Sequence, residues 1–499
     1  MALVLVGFMG AGKSSALPDV LDTDALLEDQ LETSIASFFA AFGEAKFRRR
    51  EESVVLRALR SGAPVIALGG GSLGSEAVRA ALTEHTVVWL AVSAETAWER
   101  AVGGDRPLAA DRDAFVALHS QRQPVYAAAA DAFLPEGDRE LVSRALPALR
   151  ALSSSPGCKL VWARTAGGEY PVYVGRGIAG SVLPGADGGR AFLVTDSNVG
   201  PRYAARMRRI EHTITIAAGE EHKTLAAAEE VWRSLARAGM GHGDRVVALG
   251  GGVVGDLAGF CAATYQRGVP VVQVPTTVVA QVDSAYGGKT GVDLPEAKNY
   301  VGAYHQPAAV ITDVDTLSTL PAEELAAGYA EVVKTALIAG GSLWERVASG
   351  AAVDERIVLD CARTKLAVVA ADERDGGLRQ VLNLGHTVGH AIETVTGYTS
   401  YRHGEAVALG LLVALRLSDA AGLRDEVAAL LQAAGLPTTL DPDVDPAAVV
   451  AATKLDKKRR GEHVPFVLVD APGAVSYGRS VSRADVLAAV SELAAGTSS

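Results

Sequence analysis

The first fourteen residues restrict the fold of this chain more than any other stretch. An apolar run, Leu3–Val6, leads directly into the glycine-rich sequence 7–14, which fits the pattern G-x-x-x-x-G-K-[ST]. A buried strand before this turn is the context in which the pattern binds nucleotide phosphates, with Lys13 on phosphate oxygens and the Ser14 hydroxyl on Mg²⁺. The chain should therefore begin with a parallel sheet flanked by helices. It should also carry an ATP site formed by Gly7, Gly10, Ala11, Gly12, Lys13, Ser14 and Ser15.

The order of apolar and helical segments predicts an α/β architecture for most of the chain. Short apolar runs alternate with helical stretches, as in parallel sheets covered by helices, and 499 residues at about 150 per domain suggest three domains. A Ser-Ser-Ser-Pro-Gly stretch interrupts this pattern, so we predict a first domain over 1–152 and a linker over 153–158. A second α/β domain over 159–321 and a mostly helical domain over 322–499 follow. The predicted strands are Leu3–Val6, Val65–Leu68, Val87–Leu90, Ala191–Thr195, Arg245–Leu249 and Val271–Val274.

Charge and cysteine usage argue against several classes of protein. Lys and Arg total 47 against 58 Asp and Glu, a net charge of −11, so no broad positive surface is available for nucleic acid or an acidic membrane. The three cysteines are widely spaced and lack CxxC spacing, which argues against a disulfide framework and a cysteine-based zinc site. No apolar run approaches the ~18 residues of a membrane span. We therefore expect a soluble cytoplasmic protein with reduced thiols.

Five further motifs follow the phosphate motif in the first domain. They are Asp22-Thr23-Asp24, Phe47-Arg48-Arg49-Arg50-Glu51-Glu52, Gly69-Gly70-Gly71, Arg106-Pro107-Leu108 and Arg122-Gln123-Pro124-Val125-Tyr126. Each alone is common among helix caps and solvated surface arginines. Their order resembles the shikimate kinase family across nearly all of residues 1–150. The resemblance implies that Arg106 closes over the ATP phosphates and that shikimate contacts Asp24, Arg48, Gly70, Gly71 and Arg122.

The segment after the phosphate motif departs from that family. Shikimate kinases continue into a helix of several turns, whereas only seven residues separate Ser14 from Asp22 here. Pro18 would also end a helix that begins at Lys13. Because a phosphate cradle needs only the first helical turn, we expect ATP to bind weakly and shikimate phosphorylation to be slower than in the family. The alternative is a nucleotide-binding or structural domain without catalysis.

The second half of the chain carries separate motifs for a cofactor and a metal. The run Gly250–Asp256 joins a predicted strand to a helix, where a pyrophosphate can approach a helix N-terminus closely. His386 and His390 are four residues apart, and His403 lies 17 residues after His386. Residues four apart share a helix face, so spacing alone nominates His386 and His390 as the ligands of a zinc ion.

A wider set of motifs changes that assignment. It comprises Val282-Asp283-Ser284, Gly287-Gly288-Lys289-Thr290, Lys298-Asn299, Glu331-Val332-Val333-Lys334, the run 372–379, Leu382-Asn383-Leu384-Gly385-His386 and Asp456-Lys457-Lys458. Together these resemble 3-dehydroquinate synthase from about residue 160 to 490. The resemblance implies a P-loop kinase-like domain followed by an α/β NAD-binding domain and a mostly helical metal-binding domain. It also implies that Zn²⁺ or Co²⁺ is bound by Glu331, His386 and His403.

The same resemblance assigns the residues that contact substrate and NAD. The residues that would surround a heptulosonate 7-phosphate substrate, or take part in catalysis, are Lys289, Lys334, Lys365, Arg379, Asn383, His390, Arg267, Asp283 and one of Lys457 and Lys458, with Lys13 catalytic in the kinase domain. The implied NAD contacts are Asp196, Asn198, Glu220, Lys223, Gly252, Val253, Val254, Gly255, Asp256, Thr276, Thr277, Lys289, Lys298, Thr316 and Thr319.

The implied reaction is a closed redox cycle in which NAD is regenerated at each turnover and phosphate leaves by elimination. Two alternatives use the same two-domain plan. A related sugar phosphate cyclase would act on another sugar phosphate, and a metal-dependent alcohol dehydrogenase would consume NAD. The Lys and Arg residues favour an anionic substrate, and the kinase-like domain favours aromatic amino acid biosynthesis. We expect small-molecule substrates, a homodimer through the synthase part, and no nucleic-acid or membrane partner.

Overall fold

The computed structural model describes residues 1–102, 111–155, 157–180, 189–453 and 465–495. The chain forms two compact units, of which the first comprises residues 1–164 and 171–173 and the second comprises residues 165–170 and 174–499. The segment that follows the predicted 153–158 linker adds a strand to the sheet of the first unit, since Leu160 pairs in parallel with Ala132. The boundary between the two units therefore lies after the predicted linker, within the strands that follow it.

The first unit contains a parallel sheet, as predicted. Its strand order is β2-β3-β1-β4-β5-β6, and every neighbouring pair is parallel. All four residues of the first strand are buried, which explains why its sequence is uninterrupted Leu and Val. The strands are β1 Leu3–Val6, β2 Leu21–Asp22, β3 Val65–Ala67, β4 Thr86–Leu90, β5 Ala132–Leu134 and β6 Lys159–Thr165. A seventh strand, β7 Gly168–Gly175, has residues in both units.

Helices connect the strands of the first unit, except between β1 and β2. There the described chain has only a 3-10 turn, Lys13–Ser15, so the helix behind the phosphate motif is as short as predicted. The helices are α1 Thr23–Leu31, α2 Ile35–Phe42, α3 Glu44–Leu59, α4 Glu76–Leu82, α5 Ala94–Ala101, α6 Arg112–Ala129 and α7 Leu141–Ser153.

In the second unit the sheet consists of parallel strands in the order β14-β11-β10-β8-β9. An antiparallel hairpin, β12–β13, is separate from this sheet. The strands are β8 Ala191–Asp196, β9 Ile210–Ile216, β10 Arg245–Gly250, β11 Val271–Pro275, β12 Lys289–Leu294, β13 Ala297–Tyr304 and β14 Ala309–Asp313, and the helices are α8 Gly200–Tyr203, α9 Leu225–Arg237 and α10 Gly252–Thr264.

The remainder of the second unit is mainly helical, as predicted, with one antiparallel hairpin that the sequence analysis did not anticipate. That hairpin pairs β15 Pro465–Ala471 with β16 Ala474–Ser480. The helices are α11 Ala322–Ala339, α12 Gly341–Ala348, α13 Glu355–Ala371, α14 His386–Val395, α15 His403–Leu417, α16 Ala421–Ala433, α17 Pro446–Ala452 and α18 Arg483–Ala495.

Two glycines let α15 pack closely against its neighbours. A β-carbon at Gly404 would lie 1.8 Å from the Ala327 carbonyl oxygen of α11, and one at Gly410 would lie 1.9 Å from the Gly385 oxygen just before α14. Real β-carbons do not approach backbone atoms so closely, so glycine is required at both positions. These contacts bring together three helices that are far apart in sequence.

Cys158, Cys261 and Cys361 are buried thiols, and the described part of the chain contains no disulfide. Among the described residues, the helices are all too short or too polar to cross a membrane.

Candidate active sites

The glycine-rich loop after β1 has the backbone conformation that its sequence predicts. Gly10 and Gly12 both adopt a left-handed φ of 81°, which non-glycine residues rarely adopt. Lys13 Nζ donates hydrogen bonds to the carbonyl oxygens of Gly7, at 2.9 Å, and Phe8, at 3.1 Å. The loop therefore curls around its own lysine at the N-terminus of a three-residue 3-10 turn.

A cavity of about 700 Å³ in the first unit is lined by this loop and by the predicted shikimate residues. All the predicted shikimate contacts line it, as do Gly10, Gly12, Lys13, Ser14 and Ser15. Arg106 lies outside the described residues. Arg100 and Arg139 also line the cavity and were not predicted. Arg100 donates to the Gly10 carbonyl at 2.8 Å, but its position in an ordinary amphipathic helix offered no signal.

Two residues predicted for ATP do not line this cavity. The Ala11 N–H donates within the loop, to the Phe8 oxygen at 3.2 Å, so it is already satisfied. Gly7 is needed for packing, because a β-carbon there would lie 2.5 Å from the Leu90 carbonyl oxygen. The loop motif thus mixes residues that face the ligand with residues that hold the turn together.

The guanidinium groups in this cavity are held by neighbouring side chains and backbone. Arg48 Nη1 pairs with the buried Glu51 at 2.7 Å. Arg122 donates to the Gly70 carbonyl at 3.1 Å, and Tyr126 OH donates to the same oxygen at 2.6 Å. Gly71 leaves room for Arg48, since a β-carbon there would lie 2.3 Å from Nη1. The arrangement presents two fixed positive groups to an anionic substrate.

A second cavity, of about 1760 Å³, lies in the second unit. Many of its lining residues follow the carboxyl ends of β8, β10, β11 and β14, where ligands bind in open α/β sheets. All the predicted NAD contacts except Val254 and Gly255 line it.

The cavity suits a dinucleotide at its glycine-rich edge. A β-carbon at Gly251 would lie 2.9 Å from Thr277 Cγ2, and one at Gly252 would lie 3.2 Å from Ser284 Oγ. Thr276 Oγ1 is buried and has no hydrogen-bond partner among the described residues. A close backbone approach at the N-terminus of α10 and an unsatisfied hydroxyl fit the phosphate and amide groups of NAD.

Among the described residues, five predicted site residues of the second unit are not part of the lining of this cavity: Val254, Gly255, Arg267 and the buried Glu331 and Lys334. Val254 belongs to the core cluster beneath the sheet, and Gly255 packs against Gln273, because successive residues of α10 point in different directions. Arg267 is exposed at the C-terminal end of α10, after Thr264. At 1.5 Å per residue the 13-residue helix places that end about 20 Å from Gly252. Lys457 and Lys458 lie outside the described residues.

A buried lysine organises the carboxylates at the NAD end. Lys223 Nζ lies 2.7 Å from Glu220 Oε1, 3.4 Å from Asp256 Oδ2 and 3.0 Å from Asn299 Oδ1. Burial raises the pKa of Asp256 to about 6, although the positive charge of Lys223 opposes that shift.

Three side chains from three helices converge beside this cavity, where two of them, His386 and His403, belong to its lining. Glu331 of α11 is fully buried, and its Oε1 atom lies 3.4 Å from both His386 Nε2 and His403 Nε2. Ligand atoms of these three residues all lie within 4.8 Å of one another. Glu331 Oε2 faces the Lys334 ammonium group, whereas the buried Oε1 faces the two imidazoles and has no hydrogen-bond partner among the described residues. A carboxylate and two imidazoles around an unsatisfied oxygen fit Zn²⁺ or Co²⁺, with a fourth position left for substrate.

The electrostatics of this cluster shift the pKa values of His390 and His403 in opposite directions. Burial and the positive charges of His386 and His403 lower the pKa of His390 to about 3. Burial also acts to lower the pKa of His403, but its contacts with Glu331 and Glu393 outweigh burial and raise the pKa to about 10. Burial alone would raise the pKa of Glu331, yet the charges of Lys334 and His386 hold it well below its usual value.

Two of the predicted lysines, Lys334 and Lys365, contact Asp283. Asp283 pairs with Lys365, and its Oδ2 atom lies 3.4 Å from Lys334 Nζ. Lys334 also pairs with Glu331, one helical turn earlier. Burial would raise the pKa of Asp283, but these two lysines hold it below its usual value. One carboxylate therefore keeps two ammonium groups beside the site.

Four of the remaining predicted substrate residues line the cavity. Lys289 Nζ pairs with Asp375 Oδ2 at 3.0 Å, and the buried Arg379 donates to the Gly287 carbonyl at 3.2 Å. Asn383 and His390 also line the cavity. Sequence reasoning assigned no role to Glu393, although it lies three residues after His390 and so shares its helix face.

Three family models match the chain. Shikimate kinase matches residues 9–150, the 3-dehydroquinate synthase N-terminal model matches 213–327, and the C-terminal model matches 328–459. A 3-dehydroquinate synthase of Symbiobacterium thermophilum is 45% identical over 342 residues, which cover 63% of this chain and 95% of that protein. A 3-dehydroquinate synthase of Halorhodospira halophila is 44% identical over 330 residues, which cover 62% of this chain and 93% of that protein. The chain belongs to the 3-dehydroquinate synthase family.

In this member of the 3-dehydroquinate synthase family, a shikimate kinase domain precedes the synthase unit. A solved structure of 2-epi-5-epi-valiolone synthase from Streptomyces hygroscopicus subsp. jinggangensis, with NAD⁺ and Zn²⁺ bound, is 26% identical to this chain. It covers 65% of this chain and 96% of its own, with a TM-score of 0.59. The predicted fold class and both family resemblances are confirmed.

Proposed function

We propose that the second unit is a 3-dehydroquinate synthase that converts 3-deoxy-D-arabino-heptulosonate 7-phosphate into 3-dehydroquinate and phosphate. The observation that carries this proposal is the convergence of Glu331 with His386 and His403, two histidines that line one cavity together with most of the predicted NAD residues. When bound, Zn²⁺ or Co²⁺ would act as a Lewis acid and NAD would accept and return a hydride, so that NAD is used catalytically.

The chain's own residues bind and orient the substrate in this proposal. Lys289, Lys365 and Arg379 line the cavity and supply positive charge for a carboxylate and a phosphate. Lys334 is almost fully buried against Asp283 and Glu331, so its ammonium group is held beside the metal ligands rather than in solvent. This charge distribution suits a sugar phosphate that also carries a carboxylate better than a neutral polyol, the substrate class of an alcohol dehydrogenase.

A phosphate-release assay tests the synthase proposal. Purified full-length protein with substrate and NAD⁺ well below the substrate concentration should complete many turnovers. A chelator should abolish the activity, and Zn²⁺ or Co²⁺ should restore it, whereas His403→Ala should stay inactive. One product per NAD⁺ would indicate a dehydrogenase. Turnover of a different sugar phosphate in preference to the heptulosonate would indicate a related cyclase.

We also propose that the first unit phosphorylates shikimate with ATP and Mg²⁺, but slowly. Its cavity brings the phosphate loop together with Asp24, Arg48 and Arg122. The helix behind Lys13 is one 3-10 turn, which supports the phosphate-binding lysine less firmly than a helix of several turns. ATP-dependent phosphorylation of shikimate should therefore be measurable and should rise when a family-length helix is inserted between Ser14 and Asp22. A rate of ~10 s⁻¹ or more in the unmodified protein would show that the short turn is harmless.

Two further proposals concern the assembled protein. We propose a homodimer formed through the synthase unit, which light scattering of the full chain would test. We also propose a cytoplasmic location, since both reactions consume phosphorylated metabolites; cell fractionation would test it.

A further inference from the structure

Glu393 occupies an unusual position for a carboxylate, buried beside the metal-ligand cluster. It lies on α14 seven residues after His386, on the same helix face, and its side chain is only 5% exposed. Its Oε2 atom lies 3.4 Å from His403 Nδ1, and its Oε1 atom lies 3.8 Å from Lys298 Nζ. The carboxylate is therefore held from two sides, by a ligand histidine and by a lysine of the β13 hairpin.

The two ring nitrogens of His403 face different groups. Nε2 lies 3.4 Å from Glu331 Oε1, in the ligand cluster, while Nδ1 faces Glu393. An ionised carboxylate only accepts hydrogen bonds, so the Nδ1 atom must carry the proton in this contact. In a neutral ring this leaves the lone pair on Nε2, the nitrogen directed at Glu331.

At His386 the corresponding ring nitrogen, Nδ1, faces a backbone acceptor. Its Nδ1 atom lies 3.1 Å from the Leu384 carbonyl oxygen, which also can only accept, and its Nε2 atom faces Glu331. The orientation of the His403 ring depends more on such an acceptor, because the His403 side chain is 38% exposed whereas that of His386 is 11% exposed. Packing alone restrains the His403 ring less than the His386 ring.

We propose that Glu393 is the positioning residue for His403, fixing its ring orientation and its Nδ1–H tautomer so that Nε2 binds the metal. This inference rests on the proposed metal site of the synthase. Acceptors that orient ligand histidines in this way typically contribute 10–100-fold to metal affinity. A competing role exists, because His390, Glu393 and His403 also have ligand atoms within 4.8 Å of one another. Glu393 could then bind the metal itself.

Metal binding by the full chain tests the proposal without relying on turnover. The dissociation constant for Zn²⁺ would be measured by competition with a chromophoric chelator for wild type, Glu393→Ala, Glu393→Gln and Glu492→Gln. The last variant is a matched control, since Glu492 pairs with Arg416 and Arg424 away from the histidines. The dissociation constant should rise about 10–100-fold in Glu393→Ala. It should rise less in Glu393→Gln, whose amide oxygen still accepts from Nδ1, and should be unchanged in the control.

The visible absorption of the Co²⁺ form separates the two roles of Glu393. A positioning residue leaves the ligand set intact, so the band positions of Glu393→Gln should match those of wild type. A shifted spectrum in that variant would show that Glu393 is itself a ligand and would overturn the proposal. Wild-type zinc affinity in Glu393→Ala would also overturn it. If Glu393→Ala fails to fold, the Glu393→Gln measurements decide. Failure of the wild-type protein to bind zinc would instead refute the proposed metal site.

Discussion

Replacing Gly404 with alanine should disrupt the metal site without touching any ligand. Gly404 follows the ligand His403 at the start of α15, and its α-carbon lies against Ala327 of α11. Ala327 is four residues before the ligand Glu331, so its carbonyl oxygen accepts the helical hydrogen bond of the Glu331 N–H. The glycine contact therefore joins the two backbones that carry these ligands.

The size of the perturbation follows from the distances. A β-carbon at position 404 would lie 1.8 Å from the Ala327 oxygen and 2.4 Å from its carbonyl carbon, whereas ordinary contact begins at 3.4 Å. The backbones must separate by about 1.6 Å at this point, because a carbonyl inside a helix cannot rotate away. Metal–ligand distances vary by only ~0.2 Å, so such a shift removes one ligand or distorts the site. We expect zinc affinity to fall at least ~100-fold and stability to fall by about 1–3 kcal/mol.

Zinc competition and thermal unfolding of Gly404→Ala measure these two effects. Gly422→Ala is the control, since Gly422 lies in α16 and a β-carbon there meets no atom within 4 Å. The control should bind zinc like wild type and should be equally or slightly more stable. Wild-type zinc affinity in a folded Gly404→Ala variant would refute the reasoning, since it would mean that the close helix contact does not set the ligand geometry.

Two other substitutions have outcomes that follow from the structure. Asp256→Asn should stabilise the ligand-free protein at neutral pH. Burial raises the pKa of Asp256 in the folded protein to about 6. The wild-type protein therefore loses stability as the pH rises from the pKa of an unfolded-state Asp to about 6, because the buried carboxyl must then ionise. The gain in the free energy of unfolding of the variant over wild type should be near zero below pH 4 and reach ~3 kcal/mol above pH 7. A difference between the two proteins that does not change with pH would contradict this reasoning. Gly71→Ala should push the Arg48 guanidinium out of place, since the two groups would be 2.3 Å apart, and raise the KM for shikimate ~10-fold. Gly74→Ala, where a β-carbon has free space, should leave that KM unchanged; equal values for both variants would show that Arg48 does not bind shikimate.

The sequence alone determined the local chemistry and half of the sheet strands, namely β1, β3, β4, β8, β10 and β11. An uninterrupted apolar run can only be a buried segment, and the glycines of the phosphate motif permit the left-handed backbone that this turn adopts. The predicted strand Leu3–Val6 was therefore correct to the residue. The seven residues between Ser14 and Asp22 also limited the helix there to a single turn, because chain length restricts what can form.

Only the tertiary structure decided which groups meet. Spacing along one helix favours His386 with His390, whereas the folded chain directs His386 towards Glu331 and His403, which come from two other helices. Those helices approach because Gly404 and Gly410 lack side chains, a property that has no consequence until the opposing backbone is known. Periodicity gives the face on which a residue lies, but packing between distant segments decides what that face contacts.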